Sequence, residues 1–140
     1  MNSFGYNSTH SINPQASTVF SRLKDSSAVI IAAHCKPGKV ELSDQDDNLI
    51  GTIGAHSYIV NGTNSYYLSQ GDNGISPNEL SDLNFVLYLG CRSGVDCEFW
   101  GTAYNLVDET VKGGAHYAMG AKEIIYSDEI NFFCMNSYCF

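Results

Sequence analysis

The hydrophobic positions of this chain fall into two kinds of pattern. Ala16, Val19, Phe20 and Leu23 recur at helical spacing behind Asn13 and Pro14, a side-chain cap followed by a residue suited to the first helical position. A short helix is therefore predicted over residues 14–24. Residues 28–33 form instead an unbroken apolar run with a β-branched centre, the pattern of a strand buried on both faces of a parallel sheet. A second such run, residues 85–89, leads into Gly90, Cys91, Arg92, Ser93 and Gly94.

Between the two runs, residues 36–75 are rich in Gly, Asn and Asp, with short β-like pieces at residues 40–42, 50–53 and 57–60. They read as one or two hairpins over one end of the sheet. Ser76 and Pro77 open a turn of helix ending near Asp82, with Glu79 as the partner of a Ser76 cap. Ala103, Leu106, Val107, Thr110 and Val111 share a helical face that Gly113 and Gly114 terminate, and Trp100 reads as an anchor on the core. A third apolar segment, residues 117–119, enters Gly120, a short strand is expected at residues 123–126, and Ser127, Asp128 and Glu129 have the composition of a helix start. Residues 1–12 are Ser- and Asn-rich and read as an arm. The alternation of helix and apolar strand predicts a single α/β domain over residues 1–140, with helices on both faces of a mainly parallel sheet.

Composition narrows what such a domain does. The net charge is -8 and no run of Lys or Arg occurs, so the electrostatic footprint for phosphate backbones or anionic lipid is missing and no nucleic-acid partner is expected. No stretch approaches the roughly 20 apolar residues of a membrane helix, and the first residues carry no apolar signal core. The expectation is a soluble product without membrane association, cytoplasmic by default. Five cysteines, unevenly spaced and without a C-x-x-C pair, argue against a disulfide framework or a zinc knuckle. His10, His56 and His116 lack ligand partners at metal-site spacing and read as surface or packing residues. Tyr58, Tyr66, Tyr67 and Tyr88 read as packing and cross-strand residues, and Asp44, Asp46 and Asp47 as a solvated turn.

The candidate chemistry lies at the ends of the two apolar runs. In open parallel sheets the crevice lies beyond the carboxyl ends of the strands, so His34 and Cys91, each just past a run, are expected to converge. A thiol nucleophile needs a base within reach, and imidazole is the usual one near neutral pH. Gly90 permits a sharp turn, Arg92 adds positive charge beside the thiol, and the N–H groups of Ser93 and Gly94 are candidates to face a developing oxyanion. A lone Cys at a strand end is more often inert packing, so the weight rests on the matched placement of the pair.

Residues 29–34 followed by Pro37 and Gly38 resemble the histidine strand and loop of caspase-like cysteine peptidases, the group that includes gingipains, separases and CHAT-domain proteins. Residues 86–94 resemble their cysteine strand, and Asn105, Leu106, Val107, residues 112–115, Met119 and Gly120 resemble the helix and strand that close the core in CHAT-like members. The resemblance covers residues 13–126. It implies an incomplete version of a three-layer α/β/α sandwich. It also implies a cofactor-free, metal-free endopeptidase acting on a peptide or protein, with His34 as general base, Cys91 as nucleophile, and the backbone N–H groups of Cys35 and Cys91 as oxyanion donors.

The chain departs from that pattern in three places. Cys35 stands where the family has Gly, Leu89 where basic-specific relatives have an acidic residue, and the family's further strands are not found. The absent strands leave residues 28–33 near a sheet edge, with three expectations for what covers it: a protein partner or self-association, the N-terminal arm, or further strands of a longer protein. The alternative expectation is thus a catalytically inactive or truncated module of the same family acting in protein–protein interaction.

Overall fold

The structure is a computed structural model and describes residues 5, 7–60 and 62–126. In chain order it comprises α1 (Ala16–Asp25), β1 (Ala28–Ala32), β2 (His34–Lys36), β3 (Lys39–Ser43), β4 (Leu49–Gly54), β5 (Ser65–Tyr67) and β6 (Phe85–Leu89). β7 (Cys97–Phe99), β8 (Thr102–Tyr104), α2 (Leu106–Lys112) and β9 (Tyr117–Gly120) follow. The fold is mixed α/β with few helices. Its centre is a parallel sheet in the order β1-β6-β9, beside a four-stranded sheet β2-β3-β4-β5 and the β7-β8 hairpin. No described helix is long and apolar enough to cross a membrane.

Helix α1 buries the four positions its spacing marks, Ala16, Val19, Phe20 and Leu23. Its start differs from expectation. Asn13 adopts a left-handed backbone, φ 48°, and the helix begins two residues later behind Gln15, which makes no side-chain cap. Helix α2 is shorter than the apolar spacing suggested because Ala103 belongs to β8. Asn105 separates the two, its side chain accepting from the Asp108 N–H at 2.7 Å, and Gly113 returns its N–H to the Glu109 carbonyl at 2.9 Å.

Residues 77–82 form turns rather than a helix, although Glu79 reaches back to the Ser76 N–H at 2.6 Å as the sequence suggested. Residues 57–59 are a turn and the strand lies later, at β5, while residues 123–126 form no strand. The helix start expected at Ser127 lies outside the described residues.

The central sheet is packed on one face. In register, Val29, Val86 and Ala118 stand side by side, as do Ile31, Tyr88 and Gly120. Ile31, Val86 and Tyr88 belong to one core with the apolar face of α1, Leu106 of α2, and Val40, Leu42 and Ile53 of the second sheet. Tyr88 is fully buried, and its hydroxyl meets that of Thr110 on α2 at 2.7 Å, so α2 shares this face.

The opposite face carries Ala28, Ile30, Ala32, Phe85, Leu87, Leu89, Tyr117 and Met119, of which Ile30 and Met119 are each 57% exposed while Leu89, at the end of β6, is buried. The expectation that β1 is buried on both faces is therefore corrected. An unbroken apolar run is compatible with burial on both faces but does not require it, and on this side Ala28, Ile30 and Ala32 of β1 are exposed. Helices on both faces, the finer feature of a three-layer sandwich, are not among the described residues.

The β7-β8 hairpin turns at Trp100 and Gly101, with φ of 52° and 77°, both positive as a tight two-residue hairpin turn requires. Trp100 is 92% exposed and stacks on the adjacent Phe99, ring centroids 6.1 Å apart, instead of anchoring on the core as the sequence suggested. The anchors are Phe99 and Tyr104, stacked against Tyr58 and His56 with ring centroids 5.3 and 4.6 Å apart. His56 lies between two rings, also meeting Tyr58 at 4.4 Å, which fits its packing role.

Leu23→Ala removes a side chain with no exposed surface and is expected to cost about 2–5 kcal/mol of unfolding free energy. Val111→Ala, on the exposed side of α2, is expected to cost less than about 0.5 kcal/mol. Urea unfolding followed by circular dichroism measures both.

Candidate active site

Strands β1 and β6 run parallel and pair from Ala28 with Phe85 through Ala32 with Leu89. The Ala33 N–H continues the ladder to the Leu89 carbonyl at 3.2 Å. His34 and Cys91 therefore follow on neighbouring strand ends at equivalent register. Side chains alternate along a strand. Val29, Ile31 and Ala33 on one run and Val86 and Tyr88 on the other turn toward the core, while His34 opens β2 as an exposed residue and Cys91 lies in the turn that follows β6.

Cys35 is buried. A Cβ on Gly90 would collide with its Sγ, so this contact requires Gly90. Cys35 thus packs into the core behind the cysteine loop instead of standing over the open face. Burial pushes its thiol up to about 12, with smaller contributions in the same direction from the neighbouring Cys91 and Glu41 charges.

His34 is the first residue of β2, opposite Glu41 of β3, and not a loop residue. Its side chain is 75% exposed, and Nε2 lies 3.6 Å from the Asp47 carboxylate. Asp47 belongs to the turn the sequence read as solvated, and pairing of β3 with β4 carries that turn back toward His34. Asp44 builds the turn, accepting from the N–H groups of Asp46 and Asn48 at 2.9 Å each. Its carboxyl is held below the usual range, chiefly by the Asn48 backbone bond.

The cysteine loop is tied to residues 121–125, a strap the sequence did not reveal. Arg92, left-handed at φ 56°, donates its N–H to the Glu123 carbonyl at 2.9 Å, and Gly94 donates to the Ala121 carbonyl at 2.7 Å. Ser93 donates its N–H to the Gly90 carbonyl at 3.3 Å. The N–H groups of Ser93 and Gly94, expected to face an oxyanion, are therefore occupied, because a loop that turns back on its strand satisfies its own donors first.

The Ser93 hydroxyl is buried, donating to the Tyr88 carbonyl at 2.8 Å and accepting from the Ala121 N–H at 2.9 Å. A Cβ on Gly120 would fall 2.7 Å from the Gly94 nitrogen, so the end of β9 abuts the loop directly. Cys91 is half-buried, and its thiol donates to the Ile125 carbonyl at 3.3 Å. Of the two backbone donors expected to hold an oxyanion, that of Cys91 forms no hydrogen bond among the described residues. Cys35 sits opposite Val40, one pair beyond the Lys36–Lys39 pair that flanks the Pro37–Gly38 turn, so its N–H points off the free edge of β2.

The structure thus brings His34 and Cys91 to adjacent strand ends without a hydrogen bond between them, each side chain holding another partner. Two shallow concavities, one lined by Gln15, Ile50, Thr52 and Asn64 and the other by the exposed side of α1, include neither residue. Among the described residues no group of three or more His, Cys, Asp or Glu side chains is placed to hold a metal ion. No protein-family model, curated protein or solved structure matches this chain.

The Cys35 thiol ionises near 9 when unfolded and near 12 in the fold. Between those values the unfolded chain has lost a proton that the folded chain keeps, so stability is retained below about pH 9 and falls as pH rises toward 12, by at most about 1.4 kcal/mol per unit. Cys35→Ala is expected to lessen the slope between pH 9 and 11 without abolishing it, since burial raises the Tyr88 hydroxyl as well. Urea midpoints across that range check this.

Proposed function

We propose that this chain is a caspase-like cysteine endopeptidase domain in which His34 is the general base and Cys91 the nucleophile. The observation that carries the reading is the parallel, in-register pairing of β1 with β6, after which His34 and Cys91 follow on neighbouring strand ends. Imidazole nitrogen takes the thiol proton as sulfur attacks the peptide carbonyl carbon. The resulting oxyanion meets the N–H groups of Cys91 and Cys35. Collapse expels the amine, which takes the proton back from the imidazolium, and water attacks the thioester to release the acid and restore the thiol. Asp47 lies where it steadies the imidazolium, although an ion pair so exposed contributes little to stability. Substrate must draw the Cys91 thiol from Ile125 and the imidazole toward sulfur, a tightening common between free and substrate-bound sites.

The second reading is an inactive module of the same family that acts in protein–protein interaction. It is favoured by the same thiol bond to Ile125, which turns the Cys91 side chain to a partner other than His34, and by the engagement of the Arg92, Ser93 and Gly94 N–H groups.

A peptide-based thiol electrophile distinguishes the two. The peptidase reading expects selective labelling of Cys91, lost in Cys91→Ala and slowed by about 10²-fold or more in His34→Ala, a typical contribution of a general base. Equal, slow labelling of all cysteines by mass spectrometry, unchanged in His34→Ala, overturns the peptidase and leaves the module.

A further inference from the structure

We propose that two copies of this chain associate through the outer edge of β1, antiparallel about a two-fold axis passing through Ile30. This interface does not depend on the peptidase reading. Among the described residues β1 pairs only with β6, so its other edge is open. The direction of its backbone groups follows from the ladder. Ser27 accepts from the Phe85 N–H and Ala33 donates to the Leu89 carbonyl, so residues 27, 29, 31 and 33 face β6. Ala28, Ile30 and Ala32 therefore direct their N–H and C=O groups outward.

The strand is self-complementary in that geometry. With Ile30 opposite Ile30 of a second copy, Ala28 falls opposite Ala32, and all three outward-facing positions meet their like. Each such antiparallel pair exchanges two backbone bonds, about six across the axis. On the packed side Val29 falls opposite Ile31, so small residues meet small and β-branched meet β-branched. The strand has no charge, proline or bulge, the devices that normally protect an edge. An isologous contact closes on itself, joining two three-stranded sheets into one of six strands and placing the half-exposed Ile30 side chains against each other.

Sedimentation of the full chain across a concentration series tests this. The expected result is a shift from one chain mass to two. Ile30→Lys, at an exposed position and checked for folding by circular dichroism, sets two ammonium groups face to face on the axis and should weaken dimerisation at least about tenfold, or 1.4 kcal/mol. Ile30→Cys should give an intermolecular disulfide on mild oxidation, located by peptide mapping, because facing Cα atoms in a bonded antiparallel pair stand about 5.5 Å apart, within disulfide range. Val111→Cys on α2 should not. A single chain mass at every concentration, a dimer that Ile30→Lys leaves intact, or growth beyond two copies overturns the proposal, and none of these bears on Cys91 labelling.

Discussion

The register between β1 and β6 governs this molecule. A parallel ladder fixes more than adjacency: with a side-chain period of two, it fixes which residues share a face, and a slip of one position exchanges the faces. Here it sends Ile31, Val86 and Tyr88 into the core with both helices and brings the segments that carry His34 and Cys91 out at neighbouring strand ends. The core in turn holds the register, because moving Tyr88 out would break its hydroxyl pair with Thr110 and expose the largest fully buried side chain. The placement of the candidate dyad is thus a by-product of packing several residues away.

The parts of this arrangement that were legible in the sequence are those that a single hydrophobic period specifies. The four apolar residues of α1 allow one packing face, and the runs ending at Ala33 and Leu89 allow little but strands. Residues 117–119 form the third strand for the same reason. What periodicity leaves open is how many faces of a strand are covered, and β1 looks the same in sequence whether one layer or two lies against it.

Other features escaped because their signals belong to geometry between distant segments. Ala103 fits the apolar spacing of α2, yet the left-handed turn at Trp100 and Gly101 pairs it with Glu98 instead, and that turn lacks the usual Asn or Asp before Gly. The approach of Asp47 to His34 depends on two successive hairpin registers, neither readable from the acidic cluster itself. The strap at residues 121–125 binds the cysteine loop through main-chain carbonyls, which any side chains would supply. The direction of Cys35 was hidden for a simpler reason: whether it blocks the open face or fills the core depends on the alternation resuming after Ala33, where β1 ends and β2 begins.

The buried Ser93 hydroxyl joins three segments through one oxygen, with β6 on its donor side and residue 121 on its acceptor side. A hydroxyl so used gives the cysteine loop no graded way of lifting off. Withdrawing it from the core strands a buried carbonyl and a backbone amide together, so the loop either keeps its seat or leaves it in one cooperative step. Opening the loop around Cys91 therefore costs both of these bonds, held by a serine that does not bond the thiol.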